Sequence, residues 1–270
     1  MKLGAVAIID ALGFKGIWKR EKPELILNKL RRLRDIVVGD LSRAQKKAPA
    51  MLGVEQITRQ AAFLSDSLVI GVSVEAGGTG LLGPVPPTTG GFPDLIRQDH
   101  SLRDLLFTLA RLLDAAATEP PQLAYRGTIA CGQFEFEDVF VLGPAIDEAA
   151  ELASQADGAF VWFTPSAMHA HAQFEVLNPH ISFFDILAPE YAVPMKNGKT
   201  VTARVLNPFA DQKPEARVAM VDALMATFIG SGEDVLRKRQ NTDAFLRASL
   251  QLPPAREVFE QLMRPPPKWE

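Results

Sequence analysis

A chain of 270 residues, 47% of them hydrophobic and 23% charged, has the composition of one large globular domain, alone or with an appendage, and not of a disordered polymer. Its formal charge of −3 lacks the basic excess of a nucleic-acid binder, and a single cysteine excludes a disulfide framework. No apolar run approaches the roughly 18 residues of a membrane span, and the N-terminal apolar stretch ends at Asp10 without a signal-peptide cleavage site. The expected location is therefore the cytoplasm, with neither nucleic acid nor membrane as partner.

Residues 3–10 form a continuous apolar run closed by Gly13 and Gly16, which predicts a buried strand ending in a glycine turn. From Pro23 to about Lys46, apolar residues recur at helical spacing with Lys and Arg between them. Residues 54–64 and 67–74 read as two strands of a hairpin meeting at Ser65 and Asp66. The Gly- and Pro-rich stretch 77–93 predicts a surface loop of the kind that serves as a lid or insertion. Ser101 is placed as the cap of a second helix whose buried face runs from Leu102 to Leu113.

Residues 122–134 and 137–142 suggest a further strand pair, with Cys131 as a buried structural thiol. After Gly143-Pro144 an alanine-rich helix is expected. Strands are then predicted at 159–163, 173–177, 181–187 and 200–206, with a short helix opening after Thr164-Pro165. From Pro214 the pattern is helical throughout. The expected organisation is a catalytic domain over 1–210 and a helical extension over 211–270, packed on that domain or on a dimer interface. The element order suits an α+β sandwich of the ferredoxin-like, split βαβ kind, mainly antiparallel with helices packed on the sheet.

That arrangement sets the end of the first strand beside the hairpin turn, so Asp10 and Asp66 become neighbours. An acidic residue at the edge of a buried strand is costly unless its charge is compensated. Two such carboxylates can share divalent cations that also hold a substrate's phosphates. The glycines after Asp10 let backbone amides face phosphate oxygens. A His-x-His pair, His169 and His171, has no carboxylate motif beside it and predicts no metal site.

Four segments carry a family resemblance. D-A-L-G-F-K-G (10–16) resembles the first metal motif of class III nucleotidyl cyclases, and Asp66 their second metal aspartate. Y-R-G-T-I-A-C-G (125–132) resembles their Arg-x-Gly-Ile strand, and V-L-G-P-A-I-D-E-A-A-E-L (141–152) stands where they have a Gly-x-x-x-Asn-x-Ala-x-Arg-Leu helix. Departures from the pattern are specific. Ala62 replaces the adenine-reading Lys, Asp147 the Asn, Glu151 the transition-state Arg, and Phe140 stands at a base-selecting position. The altered set is similar to the pyrimidine cyclases of bacterial Pycsar anti-phage systems.

This resemblance implies Asp10 and Asp66 as catalytic metal ligands, joined by the carbonyl of Ala11, with two Mn²⁺ or Mg²⁺ ions per site. It implies a nucleoside triphosphate substrate, UTP favoured, converted to 3′,5′-cyclic UMP. Gly13, Phe14, Lys15, Gly16, Ala62, Phe140, Asp147 and Lys196 are the implied substrate contacts, with Lys199 as an alternative to Lys196. Lys15, Lys19 and Arg20 are candidates for the missing positive charge, although a helix-start role suits Lys19 and Arg20 better. The implied assembly is a homodimer with active sites at its interface, and a downstream effector acting through the cyclic nucleotide. A cyclase for CTP or a purine, and a degenerate module that binds nucleotide without turnover, are the alternatives.

Overall fold

The computed structural model describes residues 1–14, 16–39, 56–75, 92–137, 140–177, 183–210 and 212–254. Its central strand is β1 (Lys2–Leu12), paired antiparallel along one edge with β3 (Ser67–Glu75) and along the other with β4 (Ala124–Glu137). β2 (Gln56–Leu64) forms the hairpin with β3, and β5 (Phe140–Leu142) pairs with the far end of β4. The short β6 (Val161–Phe163) adds the one parallel pairing among the described strands, also on β4. The resulting order, β2-β3-β1-β4-β5, is the split βαβ arrangement expected from the chain.

β1 is apolar without interruption because both of its faces are covered, as side chains alternate along it. Ala5, Ala7, Ile9 and Ala11 pack beneath α1 (Pro23–Val38) and α2 (Phe92–Thr118), against Leu33, Val37, Leu105 and Leu109. Val6 and Ile8 face the other way, toward α3 (Pro144–Ala153), in a smaller cluster with Val69, Ala130, Phe134 and Ala149. A bidentate pair from Arg59 on β2 to Asp104 on α2 fastens the outer hairpin to the helix layer.

A separate cluster gathers the last hairpin and the helices after it, while Ala167, Ala170, Phe184 and Leu187 before them belong to the core under α1 and α2. α4 (Pro165–Leu177) and α5 (Phe183–Leu187) lead into the hairpin of β7 (Glu190–Pro194) and β8 (Thr200–Arg204). Against β6 and that hairpin pack α6 (Pro214–Ala226) and α7 (Glu233–Ser249), through Phe160, Trp162, Val193, Phe209, Met220, Phe245 and Leu246. Among the described residues no helix is long and apolar enough to cross a membrane.

Three expectations are corrected. α2 starts at Phe92, and Ser101 lies within it, its Oγ donating back to the Arg97 carbonyl at 2.7 Å. Pro93 and Asp94 in the first turn are the true start signals, masked by the glycine-rich run before them. Residues 173–177 belong to α4, and 183–187 form α5, not strands. Short apolar runs such as F-E-V-L fit either structure, and here Ala170 and Phe174, four residues apart, share a buried helical face. β7 adds a strand not expected from the sequence, with Pro194 at its last position, where the hairpin begins to turn. The 77–91 stretch lies outside the described residues.

Gly127 permits the close approach of β4 to β1. A Cβ there would meet the Ile8 carbonyl oxygen at 2.0 Å and the Ile9 Cα at 2.7 Å. Gly127→Ala is therefore expected to spread the two strands and lower the unfolding free energy by about 1–3 kcal/mol, measured by urea denaturation.

Candidate functional site

Register brings the two aspartates together. Asp10 lies directly between Ser67 of β3 and Arg126 of β4, and the next residue, Ala11, donates its amide to the Asp66 carbonyl at 3.0 Å. Asp66 occupies the tight β2–β3 turn, where Ser65 takes a left-handed φ of 61°. An N–H and C=O of one strand residue point to the same edge, so the Ala11 carbonyl also faces the Asp66 turn. Two carboxylates and a backbone carbonyl at one strand end form a set of hard oxygen donors, which suits Mg²⁺ or Mn²⁺.

Asp10 is held from both sides. Ser67 Oγ donates to its Oδ1 at 3.3 Å, and the Arg126 guanidinium donates to its Oδ2 at 3.3 Å. Arg126 is only 12% exposed, and its Nε is buried without a hydrogen-bond partner among the described residues. Beneath them lies buried Tyr125, whose hydroxyl pKa is raised first by burial and then by the charges of Asp10 and Asp66. That phenol stays neutral at any physiological pH.

After Leu12 the chain makes the glycine turn. Gly13 and Gly16 adopt φ of 73° and 80°, the left-handed region that other residues reach only under strain. The turn is closed by Arg20, whose guanidinium donates to the Gly13 carbonyl at 2.7 Å. Phe14 points inward, 4% exposed, with its ring edge-on to Trp18 at 5.5 Å, so its side chain serves the core. Lys15 lies outside the described residues.

Lys196, in the β7–β8 turn, enters the same neighbourhood. Its ammonium pKa is lowered by partial burial and then by the charges of Arg126 and Lys238, while Asp157 and Asp10 oppose the shift. Its amide donates to the Gln155 carbonyl at 2.9 Å, fixing the turn against the segment before β6. Lys199 is exposed, its amide bonded to Asn197 Oδ1 within the turn. Ala62 is buried and lies on the Asp10 face of the sheet, since it pairs with Val69, and Val69 with Ile8.

Two expected contacts are not brought to this point within one chain. Phe140 is 70% exposed and pairs with Glu137, about 35 Å from Arg126 at roughly 3.3 Å per strand residue. Asp147 is exposed in the first turn of α3, where its amide donates to the Gly143 carbonyl at 3.0 Å. Among the described residues it forms no hydrogen bond or ion pair with the Asp10 group. Sequence reasoning missed Ser67, Tyr125, Asp157 and Lys238 as neighbours of the site. Ser67 follows Asp66 directly and was signalled by its place at the strand start, whereas Lys238 resembled any solvated helix lysine.

No protein-family model and no curated protein matches this chain. Among solved structures, it is similar to the catalytic core of a rhodopsin-guanylyl cyclase with converted specificity in complex with ATPαS, at TM-score 0.43 and 10% identity, covering 76% of this chain and 97% of that one. It is similar to the guanylate cyclase domain of RhGC from Catenaria anguillulae in complex with GTP, again at 0.43 and 10%, with the same coverage of 76% and 97%. A bacterial light-regulated adenylyl cyclase matches at TM-score 0.39 and 14% identity, over 83% of this chain and 96% of that one.

Other polar residues have structural duties. Glu148 accepts the Ser166 amide at 3.0 Å and so caps α4. His169 and His171 lie on α4, not on a strand or loop, and two residues apart they face different directions. His169 is exposed beside Gln173, while His171 is buried against the Phe184 ring. Burial, then the charge of Arg204, holds the His171 pKa down at about 4. The folded state thus binds fewer protons than the unfolded state between pH 4 and 6.5, and stability from this residue is lost as pH falls through that window. Relative to His171→Gln, the wild type is expected to lose up to about 3 kcal/mol from pH 7 to pH 4, read from denaturation midpoints.

Proposed function

We propose that this protein is a metal-dependent nucleotidyl cyclase that converts UTP to 3′,5′-cyclic UMP with release of pyrophosphate. The observation that carries the reading is the convergence of Asp10, Asp66 and the Ala11 carbonyl at one end of β1, directly before a glycine turn. The four ordered segments that resemble class III cyclases support it, because the site they imply is assembled from separate strands. Bound Mg²⁺ or Mn²⁺ would supply Lewis-acid activation of the ribose 3′-hydroxyl and charge neutralisation at the phosphates. Asp10, Asp66 and the Ala11 carbonyl would hold the ions. The amides of the Gly13–Gly16 turn and the Lys196 ammonium would orient the triphosphate so that the 3′-hydroxyl meets the α-phosphorus in line.

Buried, apolar Ala62 on the Asp10 face replaces a group that would read adenine, which favours a pyrimidine. The resemblance to Pycsar cyclases makes cyclic UMP a signal in bacterial anti-phage defence, read by a separate effector. The distance between Phe140 and Asp10 favours a homodimer. In this reading a second copy brings Phe140 to a nucleotide held at Asp10. The acidic pair Asp147 and Glu151, standing for Asn and Arg, motivates the second reading, a module that binds nucleotide without turnover.

Purified protein incubated with each of the four nucleoside triphosphates and Mn²⁺, with products identified by mass spectrometry, is expected to yield cyclic UMP. Cyclic CMP or a cyclic purine nucleotide as the sole product would move the substrate assignment. Metal-dependent binding with no product would establish the binding module. Asp10→Ala and Asp66→Ala are each expected to lower turnover at least a hundredfold, a change of about 2.7 kcal/mol in barrier, with the folded circular-dichroism spectrum retained. Undiminished cyclisation by either variant would remove the aspartates from the mechanism.

Metal binding has its own readout. Free Mn²⁺ at a hundred times its dissociation constant should stabilise the wild type by about 2.7 kcal/mol, seen as a rise in melting temperature. Asp10→Asn should lose that rise.

A further inference from the structure

Past Gly13 lies a cleft of about 300 Å³ between the end of β1 and the α6–α7 connection, lined by Leu12, Gly13, Arg20, Thr227, Phe228 and Lys238 among others. No carboxylate lines it, although Glu21 lines the recess that adjoins it. Among the described residues Arg20 and Lys238 take part in no ion pair, and the Arg20 guanidinium is held on the carbonyl of Gly13, itself a lining residue.

Lys238 reaches this place because α7 is latched. Buried Asp157, 3% exposed in its side chain, accepts a hydrogen bond from Arg237 Nε at 2.5 Å, and its carbonyl accepts one from Asn241 Nδ2 at 2.7 Å. One turn on, Thr242 Oγ1 accepts the Ala159 amide at 2.8 Å. These contacts fix α7 against the segment that also anchors Lys196. Leu12, on the same face of β1 as Asp10, packs against the cluster built by α6 and α7, so this helix pair covers the Asp10 side of the strand end. Lys238 and Arg126 both act on Lys196, so the three cations share one neighbourhood.

We infer that α7 completes the polyphosphate site: Lys238 and Arg20 bind the terminal phosphates of a nucleoside triphosphate in the cleft at Gly13, opposite Lys196. This assignment rests on the nucleotidyl cyclase reading and supplies the cationic charge that Glu151 cannot. It places the helical extension inside the substrate site. Arg237 and Asn241 act as positioning residues through Asp157.

The test is calorimetric binding of inorganic tripolyphosphate and of UTP, each with Mg²⁺, to the full chain. Wild type is expected to bind both, with Lys238→Ala and Arg20→Ala each weakening both at least about tenfold and Lys238→Arg restoring most of the loss. Arg239→Ala, an exposed neighbour on α7, removes the same charge and should leave binding within twofold. Weakening of UTP alone would place Lys238 at the nucleoside and overturn the inference. Unchanged binding in Lys238→Ala, equal weakening in Arg239→Ala, or no tripolyphosphate binding by a wild type that binds UTP would each overturn the inference. Absence of cyclic product from all four triphosphates, with tripolyphosphate binding intact and Lys238-dependent, would overturn the cyclase reading and leave the cleft assigned.

Discussion

The antiparallel clamp on β1 is the constraint from which the site follows. Pairing on both edges places Asp10 opposite Ser67 and Arg126 and ties Ala11 to Asp66. A slip of one residue would turn Asp10 onto the face occupied by Ala11, among the side chains under α1 and α2. The register is held because Ala5, Ala7 and Ile9 fill that face while Val6 and Ile8 fill the other. Packing of apolar residues thus decides where a charged one emerges.

At the point of emergence charges of both signs collect. Asp10 meets Arg126 directly and Asp66 lies in the adjoining turn, while Lys196 and Lys238 approach from elements far along the chain. Water is partly excluded here, so each charge acts on its neighbours more strongly than it would on an open surface. Desolvation first, and these charges second, keep Tyr125 protonated and destabilise the Lys196 ammonium. An anion bearing several oxygens relieves the repulsion among the cations, and a divalent cation relieves that between the carboxylates. Both needs meet in a metal-bound polyphosphate.

The helical layers divide the work unequally. α1 and α2 close one face of the sheet with a large aliphatic core, whereas α3 covers the other face with Ala145, Ile146 and Ala149 and leaves Asp147 exposed. α6 and α7 close only the end of that second face, beside Gly13. Phe140 and Leu142 stay exposed at the opposite end of β4, at 70% and 55%. This asymmetry separates the charged end of the sheet at Asp10 from an end that carries exposed apolar side chains.

By itself the sequence determined the strand order, the hairpin at Asp66 and the glycine turn, because these depend on local periodicity and on glycine's freedom at positive φ. From that order the nearness of Asp10 and Asp66 follows, since a split βαβ sheet has few ways to pair. Local pattern failed at 173–187, where short apolar runs fit helix and strand alike, and at the start of α2, where a glycine-rich run hid the Pro93-Asp94 signal. Tertiary structure alone decided the partners of the aspartates. Arg126 and Lys196 are 70 residues apart along the chain, and no pattern in either segment encodes their meeting. It also turned Phe14 into the core and set Lys238 in the lining of the cleft at Gly13, beside the Arg237–Asp157 latch. Periodicity specifies which face of an element is apolar. Which polar groups then converge depends on how those faces pack, a property of the whole chain.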